Sequence, residues 1–190
     1  MSSVVEPGCS GASRSGGFTL IELLVTVAVL AVVLGLAVPS FQGIIQRNRL
    51  TAAANELVAA VQLARAEAIR RNRQVVLCPT LDGAACSGSN WMRTIVRVPS
   101  SNEVVREFLV TGSGISITGS ANVAANSQIA FNPNGLVRVG GGNDTSGVLS
   151  VCSSRVTQAE NTRDVQIAVS RVSVEVRDGG AGCASAQVQD

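Results

Sequence analysis

Between Phe18 and Val38 the chain has 21 residues and one ionisable side chain, Glu22. A helix of that length is about 31 Å long, enough to cross a bilayer core. A carboxylate in such a helix is costly, roughly 2.5–3.5 kcal/mol at the helix centre on insertion scales, and such groups are usually paired. The Gly17-Phe18 junction stands just ahead of it. Hydrolysis there would leave a new amine on Phe18 at the head of the helix, and the amine of a neighbouring subunit could then pair with Glu22. The chemistry these residues suggest is proteolytic processing followed by charge pairing in an apolar medium. A secretory signal peptide fits poorly, because the preceding segment carries only Arg14 against Glu6 and the apolar run is too long. A plain single-span anchor explains the length but neither Glu22 nor the Gly-Phe junction.

Of the five cysteines, Cys9 precedes Gly17, and Cys78, Cys86, Cys152 and Cys183 follow it. An even count in a domain delivered across a membrane reads as two disulfides in an oxidising compartment. Cys78–Cys86 would close a short loop and Cys152–Cys183 a longer one, one of three pairings open to four cysteines. There is no histidine and no CxxC, so neither a zinc site nor a Ser-His-Asp or Cys-His catalytic group is expected. Glu103 and Glu107 are expected to share one face of a strand about 13 Å apart, too far for paired acid–base work. No phosphate cradle is present, since Gly140-Gly141-Gly142 leads into polar residues. No enzyme, cofactor or metal is expected. All 15 basic residues are Arg and the net charge is +2, so a nucleic-acid footprint would require the arginines to cluster.

The elements that must position these groups follow from pattern. Residues 1–17 are Gly/Ser-rich and read as a disposable leader, and residues 18–40 as an apolar transmembrane helix. Residues 41–190 read as one periplasmic domain, of a size that supports a core. Pro39 is expected to kink or loosen the helix. Over residues 41–73, Leu50, Ala54, Leu57, Val61, Ala64 and Ala68 form one apolar stripe, which should pack on a sheet. Asn48, Asn55, Gln62 and Arg65 fall opposite. Glu67 can pair with Arg71, while Arg70, Arg71 and Arg73 read as a solvated helix end matched to the dipole.

Residues 74–190 read as strands over 74–79, 91–98, 103–110, 115–118, 128–131, 136–139 and 148–153, with a tight turn at Asn132-Pro133-Asn134-Gly135. Val165, Ile167 and Val169 alternate on odd positions, and Val172, Val174 and Val176 on even ones. The parity change at Ser170-Arg171 requires a bulge or a tight turn, and it exposes Arg171.

Gly17-Phe18-Thr19-Leu20-Ile21-Glu22-Leu23 resembles the N-terminus of type IV pilins and type II secretion pseudopilins. Residues 52–57, 64–71, 76–79 and 131–135 resemble the FimT/GspH group among them. The resemblance implies an α+β pilin fold, a long N-terminal helix packed on antiparallel sheets. It also implies cleavage between Gly17 and Phe18 by a prepilin peptidase, N-methylation of Phe18, and an assembly role for Glu22. The expected setting is a single-pass inner-membrane protein whose partners are other pilins or pseudopilins.

FimT-like minor pilins serve type IV pili, and some bind DNA through a Gly-Arg-x-Arg motif. Here Ser170-Arg171-Val172-Ser173 keeps only the first Arg, with Arg177 and Arg163 as neighbouring candidates for DNA. Pseudopilin H of type II secretion is the alternative and has no DNA role. Arginine richness and the Val76-Leu77-Cys78-Pro79 strand favour the FimT branch.

Overall fold

A computed structural model of the chain describes residues 17–169 and 171–184. The expected leader through residue 16, Cys9 and Ser170 lie outside the described residues. The chain divides into two compact units after Ser40. Helix α1 (Leu20–Arg71) contributes to both, and its helical backbone continues through Pro39, where the sequence led us to expect loosening.

In the first unit α1 presents its apolar residues to solvent on every side, with Phe18 85% exposed and Leu20 through Leu34 all exposed. Among the described residues no helix is long and apolar enough to cross a membrane. The side chains of Leu36, Val38, Pro39 and Ser40 lie outside the described residues.

The second unit, Phe41–Asp190, is α+β. Its part of α1 buries the expected stripe: Leu50, Ala54, Leu57, Val61, Ala64 and Ala68 are all within 1% of full burial. The helix ends through Asn72, whose φ of 50° is left-handed. The Arg73 N–H donates to the Ala68 carbonyl and the Asn72 N–H to the Ile69 carbonyl, the paired bonds of a Schellman cap.

Among the described residues nine strands follow, every pair antiparallel. The strands β1 (Val75–Pro79), β2 (Arg93–Val98), β3 (Glu103–Leu109), β5 (Ile129–Phe131) and β6 (Val137–Val139) form a sheet ordered β3-β2-β1-β5-β6. A second sheet is ordered β4-β7-β8-β9, from β4 (Ile115–Gly119), β7 (Ser146–Ser153), β8 (Thr162–Ala168) and β9 (Arg171–Arg177). The α1 stripe shares one hydrophobic core with Val75, Leu77, Val96 and Phe131 of the first sheet and Leu149, Val165 and Ile167 of the second. Arg65, expected opposite the stripe, instead lies over the Phe131 ring at 5.3 Å, and its desolvation there lowers its pKa.

Two further expectations change. A bulge in the β2–β3 ladder, between Val96 and Arg97, inserts one residue into β3. Glu103 therefore pairs in register with Val98, and Glu107 with Ile95, so the two carboxylates occupy opposite faces rather than one. The Arg70–Arg71 helix end is also not simply solvated. Arg71 bonds Glu67 at 2.6 Å and Glu103 at 2.7 Å, tying α1 to β3, while Arg70 holds the same Glu67 at 2.7 Å.

Candidate functional site

The N-terminal site is built on the first turn of α1. Gly17, Phe18 and Thr19 are neither helix nor strand, and the helix starts at Leu20. The Thr19 hydroxyl accepts the Glu22 N–H at 3.2 Å, and the Thr19 carbonyl accepts the Leu23 N–H at 3.2 Å. Thr19 is thus an N-cap, satisfying a donor that the start of any helix leaves unpaired. With Glu22 three residues on, Thr19-Leu20-Ile21-Glu22 has the sequence of a capping box ahead of an apolar run. Sequence reasoning passed over this role, though the Thr-x-x-Glu spacing signals it. Glu22 is exposed and sits in the first turn, where the helix dipole favours a negative charge.

The C-terminal arginines do not converge. Arg171 pairs with Ala168, Val172 with Ile167 and Val174 with Val165 in an unbroken hairpin register. The parity change therefore falls between Ala168 and Arg171, and odd residues of β8 share a face with even residues of β9. Arg171 and Arg177 lie on the opposite face, at the two ends of β9, about 20 Å apart. Arg163 pairs with Val176 and so belongs to the core-side face. Arg177 is engaged as well: it forms an ion pair with Asp164, which is 4% exposed, and donates to the Ala184 carbonyl at 2.8 Å. Arg163 donates to the backbone carbonyls of Glu160 and Thr162. Of the three, Arg177 alone has a side-chain partner among the described residues, Arg163 is held by backbone carbonyls, and Arg171 has neither. Val174 and Val176 stay exposed because β9 is an edge strand.

The cysteines form Cys78–Cys86 and Cys152–Cys183. The first closes a loop braced by Asp82, whose carboxylate accepts the N–H groups of Ala84 and Ala85 and the Thr80 hydroxyl. These bonds hold the Asp82 pKa down at about 2. The second fastens the C-terminal segment to β7. There Asn161, buried just ahead of β8, accepts the Gly179 N–H and donates to the Gly180 carbonyl. No sequence signal had singled out Asn161. Among the described residues no three His, Cys, Asp or Glu side chains are placed to hold a metal.

Comparison with known proteins gives this geometry a family. Residues 53–173 match the family model for type II transport protein GspH, and residues 12–38 match the prokaryotic N-terminal methylation motif. A fimbrial protein of Pseudomonas aeruginosa is 36% identical over 64 residues, covering 34% of this chain and 41% of that protein. The chain thus spans less than half the length of the curated relative it matches. The crystal structure of the type IV minor pilin FimU of Pseudomonas aeruginosa superposes with a TM-score of 0.53 at 21% identity, covering 68% of this chain and 90% of FimU. A weaker likeness, TM-score 0.46 at 12% identity, is to the minor pseudopilin EpsH from the type 2 secretion system of Vibrio cholerae. The methylation motif precedes a domain matched over more than half of the chain, in which the second-unit part of α1 packs on antiparallel sheets; the chain belongs to the GspH family of pilin-like proteins.

Proposed function

We propose that this protein is a minor type IV pilin, processed between Gly17 and Phe18 and assembled into a filament through the apolar start of α1. The observation that carries the reading is the exposed apolar stretch from Phe18 through the start of α1 to Leu34, with Glu22 its single charge. Such a surface in water is a docking surface, suited to lipid before assembly and to neighbouring helices after it. On this reading Phe18 is N-methylated and the globular domain faces the periplasm, where its two disulfides are stable. The identity to a fimbrial protein supports the pilus branch.

Gly17→Ala tests the processing step. The space around Gly17 is open among the described residues, so the added methyl meets none of their atoms and the fold is undisturbed. The expected result is an unprocessed, heavier chain retained in the membrane, read by mass spectrometry; an intact leader on the wild-type protein in cells with active peptidase overturns the proposal. Glu22→Ala and Glu22→Gln separate charge pairing from capping, because Gln still serves a capping box. Both variants are expected to insert in the membrane and to be missing from sheared filaments.

The second reading, a type II secretion pseudopilin, is favoured by the match to the GspH model. Loss of exoprotein export with intact pili in a deletion strain selects it. The DNA role enters in reduced form, through Arg171, whose replacement by Ala is expected to weaken retention of duplex DNA in a gel shift. No retardation by the wild-type protein retires that role.

A further inference from the structure

The bond from the Glu22 N–H to the Thr19 hydroxyl has a consequence for the peptide bond two residues ahead of Thr19. If α1 grew one residue backwards, the same N–H would be taken by the Phe18 carbonyl, four residues before it. The next N–H back, that of Ile21, would then be taken by the carbonyl of Gly17. That carbonyl belongs to the Gly17-Phe18 bond. Capture by Thr19 stops this sequence at its first step. In keeping with this, Gly17, Phe18 and Thr19 are outside the helix, Phe18 is 85% exposed, and none of the described residues crowds Gly17.

A peptidase must polarise the scissile carbonyl and approach its face. A carbonyl already bonded within a helix is unavailable for the first and shielded from the second. We infer that Thr19 is a positioning residue for leader removal: its side-chain oxygen holds the start of α1 at Leu20 and leaves the Gly17 carbonyl free for the processing enzyme. The inference rests on the cleavage proposed above. It assigns Thr19 no contact with the enzyme. It therefore requires that any good N-cap side chain serve in its place, whatever its shape. Threonine, serine, asparagine and aspartate share the acceptor oxygen, whereas valine copies the shape of threonine without it.

The test is pulse-chase processing of the full-length chain in cells expressing a prepilin peptidase, comparing wild type with Thr19→Val, Thr19→Ser and Thr19→Asn. Thr19→Val is expected to mature roughly 3- to 10-fold more slowly, the scale of a lost N-cap, with Ser and Asn at the wild-type rate. Maturation of Thr19→Val at the wild-type rate overturns the inference and leaves the cleavage reading intact. Slow maturation of the Val, Ser and Asn variants alike also overturns it, because that pattern marks direct reading of threonine by the enzyme. A wild-type chain that is never cut overturns the cleavage reading itself.

Discussion

At the scale of single residues, carboxylates held by hydrogen bonds, Glu67, Asp82 and Glu103 among them, add to the acid sensitivity of the domain. Hydrogen bonds from Arg70 and then Arg71 pull the Glu67 pKa from 4.5 to about 2, and backbone N–H groups hold Asp82 near the same value. A carboxylate depressed in the folded state contributes stability above its unfolded pKa, and that contribution is lost as pH falls through the folded value. Thermal melts followed by circular dichroism should be level from pH 7 to about pH 5 and fall between about pH 4.5 and 2. Glu67→Gln should flatten part of that fall; an unchanged slope refutes the assignment. Arg177 and Arg171 differ in the same direct way. Arg177→Ala leaves the buried Asp164 unpaired and should cost about 2–3 kcal/mol in urea unfolding, at the low end for a broken buried pair because Arg177 is partly in water. Arg171→Ala should stay within about 0.5 kcal/mol of wild type. Equal effects would contradict the placement of the two residues.

At the scale of elements, the two disulfides close loops of unequal length, with sequence separations of 8 and 31. Chain-entropy reasoning gives about 2–3 kcal/mol for the shorter and about 3–4 kcal/mol for the longer. Cys183→Ser should therefore lower stability more than Cys86→Ser, a ranking that denaturant unfolding of the two variants decides. Helix α1 shows what periodicity alone can carry. Its buried stripe was legible because 4-3-4-3 spacing of apolar residues admits one face only. Its exit through Asn72 was not singled out, although asparagine is the commonest residue after glycine to take the left-handed cap. The bulge in β3 was illegible for a firmer reason: Glu103 and Glu107 keep strand spacing in sequence, and the partner strand decides where the extra residue goes.

At the scale of the whole molecule, an apolar exposed helix start precedes a folded, disulfide-bonded domain with its own core. The proposed assembly makes a prediction at this scale. Processed wild-type protein should appear in the sheared-filament fraction at low abundance, while Glu22→Ala accumulates in membranes. Equal recovery of both in filaments would remove Glu22 from the assembly step. The fold match to FimU and the GspH family match place the domain among pilin-like proteins, and the choice between pilus and secretion filament then belongs to phenotype.

The linear chain was sufficient for the features that depend on neighbours close in sequence. The Gly17-Phe18 junction, the apolar run with its one acid, the amphipathic stripe, the succession of strand segments along the chain and the parity break after Val169 are all of this kind. Three-dimensional pairing decided the rest. Whether Arg163, Arg171 and Arg177 form one patch depends on strand register, and the hairpin puts two of them about 20 Å apart and the third on the other face. Whether a charge is free depends on a partner distant in sequence, as Asp164 is for Arg177 and Glu103 is for Arg71. Spacing along a strand sets which residues could share a face, but only the paired sheet determines which of them meet.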